Sequence, residues 1–117
     1  MINIRHLFGA LRHSLAGLRR ACDEQAFKHE LLVFVGVIAL LACIRPGTAW
    51  TAALICGWLL VMLVELLNSA IEEAFDLVSP EFNIHVKYGK DMASAAIFVA
   101  LLLNAVLWGC MFWDISV

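Results

Sequence analysis

The chain has 117 residues and a net charge of −2, and its composition is 63% hydrophobic and 15% charged. Soluble domains are about half apolar and a quarter charged, so this composition excludes an ordinary soluble domain. The length allows one domain, residues 1–117, and the absence of a basic patch interleaved with aromatic residues argues against a nucleic-acid partner. No charged residue occurs in 46–64 or in 92–113. Uncharged stretches of this length predict transmembrane helices.

The first predicted element is an amphipathic helix over residues 1–24. Its arginines Arg5, Arg12 and Arg19 recur every seven residues on one face. Such a pattern predicts a helix that lies in the membrane surface, whereas a signal peptide would need an uninterrupted apolar core. The opposite, apolar face carries Ile4, Leu7, Phe8, Leu11, Leu15 and Leu18.

Three further helices are predicted at 26–44, 48–76 and 86–113, and each contains a membrane span. The turn "RPGT" separates the first two, with Thr48 as a candidate cap for the second, and "SPEFN" separates the last two. The sequence therefore predicts an all-α membrane protein with one surface helix and three transmembrane helices.

Positive charges predict the orientation of these helices in the membrane. Four arginines lie in the amphipathic segment, and Lys87 and Lys90 lie in the loop before the last span, whereas the C-terminal tail carries no positive charge. The positive-inside rule then places the N-terminus and the 77–90 loop in the cytoplasm and the C-terminus outside.

The stretch "ELLNSAIEEAFD" (65–76) places a polar stripe at the cytoplasmic end of the second span. Residues 46–64 form about 28 Å of helix, which puts Glu65 at the inner boundary of the hydrocarbon. Asn68, Glu72 and Asp76 follow within about 80° on the same helical face. A partly desolvated carboxylate at the membrane edge suits general-base chemistry, and acids at this depth mark functional sites.

The stretch "KYGKDMASAA" (87–96) supplies a complementary set of groups at the same depth. Lys87, Lys90, Asp91 and Ser94 are spaced three and four residues apart, and Glu24 and Glu30 lie near the membrane surface ahead of them. Carboxylates that hold Mg²⁺ and a lysine that neutralises phosphate are the ingredients of phosphoryl transfer. The sequence signatures of soluble kinases are absent, so the residues alone leave two alternatives. The first is an enzyme with a polar site at the inner membrane face.

The second alternative is a non-enzymatic membrane oligomer or cation pore whose acids ring a channel. A pore needs polar positions along its whole span, and residues 46–64 offer only Thr48, Thr51 and small residues. The polar positions stop at one edge of the membrane, which favours the enzyme.

The two stretches together resemble the paired signature of the prokaryotic diacylglycerol kinase family, whose members are small membrane kinases with a surface helix and three spans. The resemblance covers nearly the whole chain. The pattern E-x-x-N-x-A-x-E-x-x-x-D is matched by Glu65, Asn68, Ala70, Glu72 and Asp76. The element K-D-x-x-S-A-A is matched by Lys90, Asp91, Ser94, Ala95 and Ala96.

This resemblance implies an ATP-dependent, Mg²⁺-requiring lipid kinase in the bacterial inner membrane, assembled as a homotrimer with active sites between subunits. It implies that Glu65 is the catalytic base and that Glu24 and Glu72 bind the metal. Residues implied to surround the nucleotide and its phosphates are Asn68, Asp76, Lys90 and Asp91. Residues implied on the lipid side are Arg5, Ser14, Glu30 and Ser94.

The substrate remains open between two branches of the family. "SPEF" followed by a lysine resembles the undecaprenol kinase branch, whereas the serine in "KDMASAA" favours the diacylglycerol branch. We take diacylglycerol as the predicted substrate and undecaprenol as the alternative.

Overall fold

The computed structural model describes residue 1 and residues 3–117, so that Ile2 of the predicted surface helix lies outside the described residues. The described residues form four α-helices, which are α1 (Ile4–Ala21), α2 (Gln25–Ile44), α3 (Thr48–Val78) and α4 (Ile84–Ser116). The last three are long and apolar enough to cross a membrane. The predicted all-α fold with three membrane-spanning candidates is confirmed.

Helices α3 and α4 are longer than a bilayer requires. With 31 and 33 residues, they extend for about 46 and 50 Å, against a hydrocarbon core of about 30 Å. The part of α3 beyond its uncharged stretch carries the acids of "ELLNSAIEEAFD". The helix therefore continues without a break from the uncharged stretch into the acidic segment and presents these acids on regular helical geometry.

The connections contain the residues that their backbone angles demand. Arg45 ends α2 in the left-handed region at φ 55°, and Gly47 precedes α3 at φ 105°, where a side chain would be strained. Thr48 is the first residue of α3, so the expectation that it caps this helix was wrong; Gly47 occupies the capping position. At the other hairpin, Asn83 Oδ1 accepts a hydrogen bond of 2.8 Å from the backbone N–H of His85 and caps α4.

Helix α3 lies between α2 and α4 and makes the core with both of them. One cluster joins Val37 and Leu41 of α2 to Leu54 of α3 and Met111 of α4. A second cluster, nearer the start of α2, joins Ala21, Phe27 and Met62. These contacts fix the rotation of α3, and they determine which of its polar residues face inward.

A polar contact holds α3 and α4 together inside the apolar region. The side-chain amide of Asn104 donates to the backbone carbonyls of Gly57, at 2.8 Å, and Ala100, at 2.9 Å. Gly57 is required by this close approach, because a Cβ at that position would lie 2.9 Å from Asn104 Oδ1. Interhelical amide bonds and small residues are common where membrane helices pack closely.

Much of the remaining apolar surface is exposed in the single chain. The apolar face of α1 is exposed from Ile4 to Leu18, and so are outward-facing residues of α2 and α4 such as Leu32, Phe98 and Leu102. Membrane lipid or another copy of the chain can cover these faces. The surface location of α1 and the homotrimer stay predictions.

Candidate active site

The candidate site lies where α3 leaves its uncharged stretch and passes the start of α2. Glu65 and Asn68 face into the bundle and are 7% and 8% exposed, although both are polar. The side chain of Asn68 lies beside the Glu65 carboxyl. Burial of a carboxylate costs free energy unless it is paired or hydrogen-bonded, so a side chain in this position calls for a functional explanation.

Glu30 of α2 brings a second carboxyl to Glu65. The two carboxyl groups lie next to each other, and the indole of Trp58 anchors this part of α2 by donating a 2.8 Å hydrogen bond to the Glu30 carbonyl. Within the described part of the chain, the buried atoms Glu30 Oε2 and Asn68 Oδ1 have no hydrogen-bond partner. Two polar atoms in this state leave acceptor positions for a proton or a ligand.

Glu24 reaches the same site from the connection between α1 and α2. It is half-buried, and one of its carboxylate oxygens, Oε2, accepts a hydrogen bond of 2.6 Å from the hydroxyl of Ser69 on α3. The charges of Glu24 and Glu72 both act on Glu65, so the three carboxylates form one electrostatic cluster. The cluster combines residues 41 positions apart in the sequence.

The outer part of the polar stripe is exposed and pairs with α4. Asp76 Oδ1 lies 2.8 Å from Lys90 Nζ, and on α4 itself Lys87 Nζ lies 2.6 Å from Asp91 Oδ2. These contacts place acids and lysines side by side at the α3–α4 hairpin. A cavity of about 430 Å³ lies against them, lined in part by Pro80 and Phe82.

The donor set fits a magnesium ion that is shared with substrate phosphates. Among residues 1 and 3–117, no group of three or more His, Cys, Asp and Glu side chains is arranged to hold a metal. Mg²⁺ usually takes one or two carboxylates and completes its shell with water and phosphate oxygens. Glu24 and Glu72, which act on the same neighbour, supply that number of carboxylates.

The predicted lipid-side residues are spread over the chain. Ser14 donates to the Ala10 carbonyl of its own helix at 3.0 Å and lines a cavity of about 540 Å³ between α1 and α3, together with Glu24 and Ser69. Ser94 is exposed on α4, and Arg5 lies near the start of α1, 19 residues before Glu24. The single chain therefore brings Ser14 and Glu30 to the cluster, but not Arg5.

Ser69 is the residue of this site that the sequence interpretation missed. It lies four positions after Glu65, and therefore on nearly the same helical face as the acids. That spacing was a usable signal, but serine carries no charge and a serine within a helix is usually unremarkable. Only its contact with Glu24 identifies it as part of the cluster.

Comparison with known proteins gives one consistent result. Residues 12–112 match a family described as prokaryotic diacylglycerol kinase. A diacylglycerol kinase from a Sinorhizobium species is 41% identical over 105 residues, which are 88% of this chain and 75% of that protein. Diacylglycerol kinases from Haemophilus influenzae and Escherichia coli K12 are 35% and 32% identical, over 91% and 90% of this chain and 91% and 87% of their own lengths.

Proposed function

The chain belongs to the prokaryotic diacylglycerol kinase family, and we propose that it transfers the γ-phosphoryl group of ATP to the primary hydroxyl of diacylglycerol, giving phosphatidic acid. The observation that carries this proposal is the buried Glu65 carboxyl, at the inner end of an uncharged membrane span, with further acids following it outward. A lipid alcohol at the membrane boundary and a nucleotide in the cytosol would meet at this level.

In the proposed reaction, Glu65 is the general base. Its carboxylate accepts the proton of the lipid hydroxyl as the hydroxyl oxygen forms a bond to the γ-phosphorus. The bond from that phosphorus to the bridging oxygen breaks, and ADP leaves. The buried position supports this role, because a carboxylate that is partly removed from water is a stronger proton acceptor.

The remaining acids and the lysine belong to the nucleotide side. Lys90, paired with Asp76, can turn to a phosphate and offset its negative charge, and Asn68 can donate from its amide beside Glu65. The cavity at the α3–α4 hairpin offers room for part of a nucleotide. Asp91 is held by Lys87 at the same hairpin and completes the predicted nucleotide side.

Glu24 and Glu72 are the proposed metal ligands. A bound Mg²⁺ would neutralise the phosphate oxygens and favour the departure of ADP. The chain itself supplies two carboxylates near the proposed base, one from the α1–α2 connection and one from α3. The Glu24 carboxylate keeps Oε1 free of the Ser69 hydrogen bond, which involves Oε2.

The proposal includes a membrane arrangement and an assembly. The surface helix and the N-terminus lie on the cytoplasmic side of the bacterial inner membrane, and the C-terminus lies outside. The chain assembles as a homotrimer, and neighbouring subunits complete the sites. The apolar surface left exposed on α2 and α4, and the open cavity between α1 and α3, support an association of copies.

The test is an assay of phosphate transfer by the protein purified in detergent. The protein is incubated with ATP labelled in its γ-phosphate and with diacylglycerol or undecaprenol, in parallel reactions, and the extracted lipid is counted. We expect label in phosphatidic acid. Faster labelling of undecaprenol would show that undecaprenol is the substrate and that the chain is still a lipid kinase. No label in either lipid would overturn the proposed function.

A further inference from the structure

Among the described residues, one side-chain hydrogen bond joins the connection between α1 and α2 to α3. Ser69 Oγ donates to Glu24 Oε2 at 2.6 Å, across 45 residues of sequence. The connection consists of residues 22–24. In the part of the chain that the structure describes, its other hydrogen bonds are backbone bonds to the adjoining turns of α1 and α2. Packing of Ala21 and Phe27 against Met62 holds the flanking residues to α3, and the hydrogen bond orients the Glu24 carboxylate itself.

The position of Glu24 in its own helix does not explain this contact. Glu24 is the N-cap residue of α2, yet its side chain makes no capping hydrogen bond. A carboxylate at this position could satisfy the free N–H groups of the first turn. It instead points to α3, where Ser69 lies four residues after Glu65 and three before Glu72.

We propose that Ser69 is a positioning residue, which holds the Glu24 carboxylate so that its second oxygen can bind a divalent cation together with Glu72. The proposal rests on the proposed function, in which Glu24 and Glu72 are metal ligands. A hydroxyl that donates to one oxygen of a carboxylate fixes its orientation and leaves the other oxygen free. Such supporting hydrogen bonds govern metal affinity in other sites, and their removal costs about 10–100-fold.

A structural role alone would give a different pattern. If Ser69 only connected α1 and α2 to α3, its removal would lower the free energy of unfolding. Any change in metal affinity would then be the same with and without the Glu24 carboxylate. If Ser69 acts through Glu24, its removal has little further effect once Glu24 can no longer bind the cation. A double-mutant cycle separates the two cases.

The experiment measures Mn²⁺ binding, with Mn²⁺ in place of Mg²⁺, by electron paramagnetic resonance. The full chain in detergent is titrated in the presence of a non-hydrolysable ATP analogue. We expect Ser69→Ala to weaken Mn²⁺ binding by about tenfold or more. Ser69→Thr, which keeps the hydroxyl, should bind Mn²⁺ with nearly the affinity of the unchanged chain. Ser116→Ala, which removes a hydroxyl at the opposite end of the bundle, should leave binding unchanged.

The Glu24→Gln background decides the interpretation. We expect Glu24→Gln to weaken Mn²⁺ binding, and Ser69→Ala to add little to that loss. Equal losses from Ser69→Ala in both backgrounds would overturn the positioning role, and so would a Ser69→Ala variant with unchanged Mn²⁺ affinity. If Glu24→Gln itself leaves binding unchanged, the proposed metal role of Glu24 fails and the role of Ser69 fails with it. Helical circular dichroism and a monodisperse elution profile confirm that the variants are folded.

Discussion

The two halves of α3, residues 48–64 and 65–78, pack in different ways against the rest of the chain. The first half buries Leu54 and Val61 completely. The second half buries Glu65 and Asn68 and then leaves Glu72 and Asp76 exposed. One continuous helix therefore carries a packing segment followed by a segment of functional groups.

The difference between the halves is also a difference in how buried polar groups are satisfied. In the first half, Gly57 receives the Asn104 amide, whose nitrogen makes two hydrogen bonds to backbone carbonyls. Beside the second half, Glu30 Oε2 of α2 and Asn68 Oδ1 are buried without a partner in the described chain, next to the Glu65 carboxyl, whereas beside the first half the one such atom is Asn104 Oδ1, whose amide nitrogen is fully used. A group whose donors are used stabilises a helix pair, whereas open acceptors beside a carboxyl favour binding and chemistry. Substitutions in the two halves should therefore have separable effects.

The largest expected effect comes from Glu65→Gln, which tests the second half. Turnover should fall by about 10²–10⁴-fold, the usual contribution of a general base, because the amide cannot accept the hydroxyl proton. Oligomeric assembly should be intact, since glutamine has nearly the same size. Phosphate transfer at saturating ATP and lipid measures the loss. Asp114→Asn, at the other end of the bundle, serves as the control and should turn over normally. A normal rate in Glu65→Gln would remove Glu65 from the role of base.

The next effect comes from Gly57→Ala, which tests the first half. The new Cβ would meet Asn104 Oδ1 at 2.9 Å and Leu107 Cδ1 at 3.1 Å, so α3 and α4 or the Asn104 side chain must shift. We expect a loss of about 1–3 kcal/mol in the free energy of unfolding, measured by denaturant titration in detergent. The folded fraction should keep its turnover.

The matched control for this substitution is Gly36→Ala. A Cβ at Gly36 meets nothing within 4 Å, and alanine has the higher helix propensity, so stability should be unchanged or slightly raised. Equal losses in both variants would show that the Asn104 contact is not the cause.

A smaller effect is expected from Glu72→Ala, which removes a proposed metal ligand from the exposed part of the second half. The Mg²⁺ concentration for half-maximal turnover should rise by about tenfold or more, because one carboxylate is lost from the set that attracts the ion. The measurement is a metal titration in the transfer assay. A metal dependence equal to that of the unchanged chain would exclude Glu72 as a ligand.

The smallest effect is expected on the stability of Asp76→Asn. The side chains of Lys90 and Asp76 are 37% and 66% exposed, and exposed ion pairs contribute about 0–1 kcal/mol. The free energy of unfolding should therefore change by less than about 1 kcal/mol. The KM for ATP should rise because Lys90 loses the carboxylate that positions it at the proposed nucleotide side. A large loss of stability at constant KM would make this pair structural, and would weaken the division between the halves of α3.

The sequence predicted the helices because their signals are local. The uncharged runs, the turn residues of "RPGT" and "SPEFN", and the step from apolar to acidic residues at Glu65 can all be counted along the chain. Depth in the membrane follows from length alone, since each helical residue adds about 1.5 Å. The predicted helices 48–76 and 86–113 compare with the observed helices Thr48–Val78 and Ile84–Ser116, which continue two or three residues past the predicted ends.

The contacts of the site could not be read in the same way. Helical spacing placed Glu65, Asn68, Glu72 and Asp76 on one face, but not the rotation of that face toward α2. Only the packing of α3 between two neighbours brings Glu30 beside Glu65 and Ser69 beside Glu24.

By itself, then, the sequence determined the class of protein, the number of candidate spans and the resemblance of its motifs to a kinase family, and it predicted the depth of the acids. The tertiary structure decided the partners: the Ser69 bond to Glu24, the fit of Asn104 against Gly57, and the pairing of Lys90 with Asp76. The physical reason is the distance along the sequence between the residues that interact. Periodicity and hydropathy act between residues a few positions apart, whereas these contacts join residues 14–47 positions apart and depend on how whole helices rotate and pack.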